Sequence, residues 1–369
     1  MERILLNDFK RQWLDTKDGF LEATQRVGES GWYILGKEVT QFEADLGKYL
    51  GLEAAGCASG LDALELALHA LHLPRGSKIL TTPLSAFATT LAIIQAGHIP
   101  VFVDTDDFGL LDLNLCEALL EKDKSIRALL PVHLFGHSMD LQQLKTIQQK
   151  FGVKIIEDCA QAVGAAFDGK KVGSVGEVSA TSFYPTKNLG CMGDGGAVLS
   201  SNADILRQVK ILRDYGQSSK YQHDEIGMNS RLDEIHAGIL RTVFLPKLDA
   251  STKKRVAIAK RYISEIKNPK LIVPGAPPKS GSVWHLFPIL VEGDRQDFER
   301  HMNEFGVQTG IHYPILISDQ KALHSIPHHV DGKLTHAKKY AEKEVSLPIH
   351  PYLSDDEISR VVKAANAWK

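Results

Sequence analysis

From about residue 50 to residue 200 the chain alternates between two hydrophobic rhythms. Short β-rich runs (KILTTPL, IPVFVDT, RALLPVHLF and VKIIEDCA) are separated by stretches of helical period, FATTLAIIQAG and DLQQLKTIQQKFG. Strands and helices taking turns in this way predict βαβ units on a mostly parallel sheet. Within KII and ALLPV the apolar residues fall on consecutive positions, which predicts strands covered by helices on both faces and a sheet at the centre of the fold. Two further strands, EVSATSFY and GAVLSS, follow in close succession. A helical region is then predicted from Ser230 to Lys267, where Leu232, Ile235, Ile239 and Leu240 recur at helical spacing until Asn268 and Pro269 end it.

The stretch NPKLIVPGAPPKSGS concentrates Pro, Gly and Ser and reads as a boundary. Beyond it, SVWHLFPILVEG, DFERHMNEFGV, a strand near GIHYP and a final helix DDEISRVVKAANAW predict a smaller α+β unit. A length of 369 residues suits two domains, a large one over 1–250 and a small C-terminal one over 251–369. A net charge of −2 gives the chain no concentrated positive field, which argues against a general nucleic-acid binder. The N-terminus MERILLNDFKRQW is broken by charge in every turn and no later run approaches a membrane span, so a cytoplasmic protein is expected. Cys57, Cys116, Cys159 and Cys191 show no CxxC spacing and are expected to be buried thiols, not disulfides or zinc ligands.

In open parallel sheets, ligands bind beyond the carboxyl ends of the strands. Four polar clusters fall at such places. In GCASGLDALELAL, Ser59 and Gly60 open a helix with a buried Ala63, Leu64, Ala67, Leu68, Leu71 stripe; its first N–H groups could hold a phosphate, or Ser59 could simply cap it. No P-loop pattern and no suitably placed GxGxxG accompanies it. In KIIEDCAQA a buried strand brings Glu157 and Asp158 to its end, and because neighbouring strand residues point oppositely, one of them must face the crevice. A carboxylate there needs a cation or hydrogen-bond donors. In SFYPTKNLG, Ser182 closes a strand, Pro185 sets a turn, and Lys187 precedes Gly190, Gly193, Gly195 and Gly196. Apolar surroundings would disfavour the lysine's ammonium and leave a free amine able to attack a carbonyl, although a turn lysine at the surface fits the local residues too. GMNSRLDEIHAGIL places Asn229, Ser230, Arg231 and two acids at the start of a predicted long helix. His324, His328 and His329 lie in a predicted surface loop without matched acids and are not read as a metal site, while His133 is expected to be a hydrogen-bonded histidine.

In this order the motifs resemble the pyridoxal-phosphate-dependent sugar aminotransferases of the DegT/DnrJ/EryC1/StrS family, which have the aspartate aminotransferase fold (fold type I). The resemblance runs from GWYILGKEVTQFEADLGKYLG through SGLDALELAL, PLSAFATTLAI, PVFVD, VHLFG, EDCAQAVGA, SFYPTKNLG and GMNSRLDEIHAGIL to HYP and SLPIHPYLS. It implies that Lys187 holds pyridoxal 5'-phosphate covalently and moves the proton, and that Asp158 pairs with the pyridinium nitrogen. Gln161 would contact the ring hydroxyl, Phe87 would stack on the ring, and Ser182 with Ser59, Gly60 and Leu61 would hold the phosphate. Asn229 would reach the phosphate from the partner in a homodimer with composite active sites. Tyr184, His312 and Tyr313 are the substrate-side candidates.

The implied activity takes an amino group from L-glutamate, releases 2-oxoglutarate, passes through pyridoxamine phosphate, and aminates a nucleotide-linked keto sugar. SGLDAL, RDYGQSSKY and NSRLDE look like the members acting on 3-keto sugars, with a dTDP-linked 3-keto-6-deoxy sugar as the expected substrate. Members acting on 4-keto sugars more often carry NYRM and are the alternative. One departure is HYPILISDQ, with Leu316 and Ser318 where such members continue with proline and histidine. A related sugar dehydratase is a further rival; some of those replace the lysine with histidine, so Lys187 argues against it. A non-catalytic regulator that binds the coenzyme would need a DNA-binding appendage, and none is visible in the sequence.

Overall fold

A computed structural model describes residues 2 to 369. The chain begins with two helices, α1 (Phe9–Ser30) and α2 (Lys37–Leu50), which the expected strand and helix alternation did not include. There follow β1 (Glu53–Cys57), α3 (Gly60–Ala70), β2 (Lys78–Thr81), α4 (Phe87–Gln95), β3 (Ile99–Phe102), α5 (Leu113–Lys122), β4 (Ile126–Leu130), α6 (Leu141–Phe151) and β5 (Lys154–Asp158). A small pair, β6 (Ala166–Phe167) and β7 (Lys170–Lys171), leads to β8 (Val178–Ser182), β9 (Gly196–Ser200) and α7 (Ala203–Leu212). The hairpin β10 (Gln217–Ser219) and β11 (Gln222–His223) precedes α8 (Glu234–Ile239) and α9 (Leu248–Glu265). The rest comprises β12 (Leu271–Ile272), β13 (Ser280–Gly281), β14 (Phe287–Val291), α10 (Arg295–Glu304), β15 (His329–Val330), α11 (Thr335–Lys343), β16 (Glu344–Leu347) and α12 (Asp355–Ala367).

The central sheet has eight strands in the order β1-β9-β8-β5-β4-β2-β3-β15, and only β9 runs against the others. The consecutive apolar runs are buried on both faces as expected: Ile155 and Ile156 of β5 are inaccessible to solvent and all of β8 is buried. Helix α3 packs its Ala63, Leu64, Ala67 and Leu68 stripe into the same core as Ile79, Leu80, Leu129 and Leu130. The fold is thus α/β with a mostly parallel central sheet. A second sheet, β12-β14-β16, is antiparallel and has its own core of Ile258, Tyr262, Phe287, Ile289, Phe298, Val345 and Val361. The chain folds back once more: β15 pairs in parallel with β3, and Leu334, Ala337 and Tyr340 join the main core. Among the described residues no helix is long and apolar enough to cross a membrane.

Two sequence expectations fail here. The helix expected over Ser230 to Lys267 is broken into α8, a π-helical turn at Leu240–Phe244, a 3-10 turn at Leu245–Lys247, and α9. Pro246 sits in the break, where it lacks the N–H that a continuous helix needs. Residues 229 to 233 lie outside the helix, and Glu234 instead caps α2, accepting from the N–H groups of Gly36, Glu38 and Val39 at 2.8 to 2.9 Å. The strand expected near GIHYP is a loop with one bridge, Gly310 to Ser346. The N–H of His312 goes to the Glu344 side chain at 2.6 Å, so it is not available to a strand partner.

Candidate active site

The polar residues singled out in the sequence converge beyond the carboxyl ends of β1, β5 and β8. At the end of β5 the two acids take opposite faces. Glu157 is fully buried and faces away from Lys187: its carboxylate contacts His133 Nε2 at 3.0 Å and accepts from the N–H groups of Gly173, Val175 and Gly176. Burial alone would raise its pKa, but these bonds hold it below the ordinary value. Asp158 faces the crevice. It accepts from Thr89 Oγ1 at 3.0 Å and from the Ala160 N–H at 3.0 Å, and burial raises its pKa although Thr89, Ala160 and the nearby Lys187 oppose the rise.

Lys187 lies in the loop joining β8 to β9, where its N–H closes a turn on the Tyr184 carbonyl at 2.8 Å. Gly190 makes this loop possible: a Cβ there would stand 2.7 Å from the carbonyl oxygens of both Tyr184 and Pro185. Burial of the ammonium brings the lysine pKa down to about 8, against the pull of Asp158. The amine and the acid therefore face a shared space, as a carbonyl-binding lysine requires.

The third component is a cradle. Ser59 caps α3, and its hydroxyl is committed to Asp62, accepting from the N–H at 3.1 Å and lying 2.9 Å from Oδ1, so only its backbone is free to hold a ligand. Gly60 follows, with Leu61 in the first turn of α3. A Cβ on Gly60 would lie 2.6 Å from the Cβ of Ser182 and 3.2 Å from its hydroxyl. The start of α3, the Ser182 hydroxyl and Gly196 are therefore packed around one point at a helix N-terminus, a setting that suits a phosphate.

Gln161 accepts the Phe135 N–H at 2.7 Å and reaches the Tyr313 hydroxyl at 3.3 Å, joining the β5 loop to the HYP loop. Burial, then Asp158, push the Tyr313 phenol up to about 12. Phe87 opens α4 two residues before Thr89 and packs beside Phe102 and Ile317. Tyr184 is exposed. Asn229 is exposed and its side chain makes no hydrogen bond among the described residues, whereas Ser230 turns inward to Asp62 Oδ2 at 2.6 Å.

Sequence reasoning missed several groups here. His285 is buried beside Lys187, and burial, then that charge and Arg255, hold its pKa well down. Thr89, Ser346 and Glu344 were missed as well. His312 Nδ1 lies 2.9 Å from Ser346 Oγ, which in turn lies 2.5 Å from Glu344 Oε1. Burial and Lys187 depress the His312 pKa to about 4, and burial raises Glu344 to about 8 despite the His312 N–H and Ser346. An unfolded glutamate ionises near 4.5. Between that pH and about 8 the unfolded chain loses a proton that the folded chain keeps, so Glu344 weakens folding as pH rises through the window. Glu344→Gln is expected to flatten that decline, by at most roughly 1.4 kcal/mol per pH unit. Chemical denaturation of both proteins at pH 5 and pH 8.5 checks this; an equal stability difference at the two pH values would refute it.

His133, Glu157 and Cys159 lie close together, but the histidine and the acid already satisfy one another and the neighbouring backbone: His133 Nδ1 accepts from the Met139 N–H. His328 hydrogen-bonds its own loop at the Ile326 carbonyl, and His329 is exposed in β15.

This geometry can be set beside known proteins. The model of the DegT/DnrJ/EryC1/StrS aminotransferase family matches residues 15–366. The chain belongs to that family. One family relative is the dTDP-3-amino-3,4,6-trideoxy-alpha-D-glucose transaminase of Streptomyces venezuelae, 37% identical over 99% of this chain and 96% of the relative. Among solved structures, S. venezuelae DesV in complex with a ketimine intermediate superposes with a TM-score of 0.94 at 37% identity, over 100% of this chain and 99% of that one. NtdA of Bacillus subtilis, solved with the cofactor PMP bound, gives a TM-score of 0.86 at 29% identity, over 95% and 81% of the two chains. The α/β fold is therefore that of the family's aminotransferases.

Proposed function

We propose that this chain is a pyridoxal-phosphate-dependent aminotransferase that moves an amino group from L-glutamate to a nucleotide-linked 3-keto-6-deoxy sugar, with dTDP as the nucleotide. The observation that carries the reading is the pairing of an amine whose pKa burial has lowered, Lys187, with a buried acid, Asp158, across one space bounded by the Gly60 and Ser182 cradle. Family relatives that act on 3-amino sugars support the substrate class.

The residues fit the coenzyme. Gly60 leaves room at the start of α3 that any side chain would fill, and among the described residues Asp158 makes no ion pair, with Lys187 the leading positive group that acts on it and His133 behind it. When bound, pyridoxal phosphate supplies a carbonyl for the amine and an electron sink for the proton transfer. Ser182 and the backbone of Ser59, Gly60 and Leu61 would hold the phosphate, Asp158 would keep the ring nitrogen protonated, Gln161 would contact the ring hydroxyl, and Phe87 would cover the ring. Lys187 Nζ, as a free amine, would take the proton from the donor's α-carbon and later return one to the sugar carbon. Tyr184, His312 and Tyr313 line the substrate side.

We further infer a homodimer in which Asn229 completes the partner's phosphate site. Unbonded Asn229, together with Tyr221, Ile226 and Trp32 at 83%, 99% and 63% exposure, supports a contact surface. The two domains are assigned to 1–250 and 251–369, with β15 and α11 folded back on the first; the work is assigned to the cytoplasm, in amino-sugar biosynthesis for polysaccharides.

The test is the visible absorbance of the protein with pyridoxal phosphate. The band is expected to bleach with L-glutamate as 2-oxoglutarate appears, and to return with a dTDP-linked 3-keto sugar. A band indifferent to glutamate would remove transamination, and return only with 4-keto sugars would shift the assignment to the other sugar carbon.

A further inference from the structure

A second set of polar groups adjoins the Lys187 loop, around a cavity of about 50 Å³ walled by Lys187, Asn188, Gln12, Arg255 and His350. Arg255, on α9, is 6% exposed. Each of its hydrogen bonds runs from Nη1 to a backbone carbonyl, those of Trp284, His285 and Ile349, at 3.2 to 3.4 Å. Among the described residues no carboxylate lies within ion-pair distance of it, and Nε and Nη2 bond to nothing. Burying a guanidinium without an anion is costly. His350 is 4% exposed, and although the Leu5 backbone is close, neither ring nitrogen makes a hydrogen bond. Burial, then the Arg255 charge, bring its pKa to about 4, so the neutral ring has one N–H to donate. The acid in the wall, Asp8, is turned to other work: it caps α1 at the Arg11 N–H (2.9 Å) and pairs with the Arg11 guanidinium at 3.2 Å. The cavity thus presents a fixed positive charge and unused donors.

Its charge limits the occupant: a buried guanidinium with no carboxylate partner, beside a buried histidine whose ring nitrogens are unbonded, calls for a small anion such as a carboxylate. Its position limits the occupant further, because Lys187 and Arg255 line the same cavity and both act on the buried His285 ring. We propose that Arg255, with His350 and Gln12, is the subsite for a carboxylate of the amino donor, set beside the lysine that receives its amine. The proposal rests on the aminotransferase reading above and adds what selects the donor.

Calorimetry with 2-oxoglutarate on the coenzyme-loaded protein tests it. Arg255→Gln is expected to weaken binding by about 30-fold, the loss of a charge-assisted pair, while affinity for dTDP stays unchanged. In steady state the KM for L-glutamate should rise by a similar factor with little change in kcat. Unaltered 2-oxoglutarate affinity in Arg255→Gln overturns the proposal. Since Arg255 also holds three carbonyls, His350→Phe and the 15N signals of His350 in the unmutated protein provide a second reading. Those signals should move when 2-oxoglutarate is added, and their failure to move overturns the proposal as well. If the anion binds at Arg255 but glutamate never donates its amine, the subsite stands and transamination falls.

Discussion

Lys187→Ala is expected to abolish covalent capture of pyridoxal phosphate and to cut transamination by roughly 10⁴-fold, the upper range for losing a nucleophile that is also the acid and base. The size of the effect follows from the surroundings of the amine. With a pKa of about 8, roughly one lysine in ten carries a free amine at pH 7, whereas at the ordinary 10.5 about one in three thousand would. Capture of the aldehyde should accordingly rise about tenfold per pH unit below 8 and level off above it. Borohydride reduction followed by peptide mass spectrometry reads this directly. Label found on another lysine, or a capture rate still climbing at pH 10, would contradict the assignment. The alanine variant is expected to remain folded, since the loop is held by the Tyr184 carbonyl and Gly190, not by the lysine's side chain.

Asp158→Asn should leave the shape of the site largely intact and lower the rate of the glutamate half-reaction by roughly 200- to 5,000-fold. The change removes a buried negative charge and keeps one oxygen acceptor of the two that now serve Thr89 and the Ala160 N–H. A ring nitrogen that has lost its anion in a buried setting is destabilised by about 3–5 kcal/mol, which sets that range. The decisive measurement is single-turnover absorbance with L-glutamate at saturating coenzyme, which separates chemistry from coenzyme affinity. A rate within threefold of the unmutated protein would mean that Asp158 does not face the ring nitrogen.

The parts of the site that could be read from the sequence were those fixed by short-range rules. Consecutive apolar residues in KII marked a strand covered on both faces, so its last two acids had to sit at a crevice, and the structure turns Asp158 toward it and Glu157 away. Ser59 and Gly60 before an apolar helical stripe marked a helix start, and α3 begins at Gly60. What stayed hidden depends on contacts between elements far apart in the chain. Glu344 and Ser346 belong to β16 and act on His312 from the edge of the second sheet, and no local pattern near either position announces that pairing. Thr89 read as an ordinary helix residue because its partner is at the end of a different strand. The long helix was misjudged for the opposite reason: the apolar spacing from Leu232 to Leu240 outweighed the single local warning, Pro246.

The reversed strand has a kinetic consequence. Residues 53–57 in β1 find their strand partner at residues 196–200 in β9, so the edge of the sheet that carries the reactive loop cannot close until just over half of the polypeptide exists. Such distant pairing is slow to form, so the loop that carries Lys187 is fixed in place only after it is complete. On the proposed function, uptake of the coenzyme would have to wait for that closure.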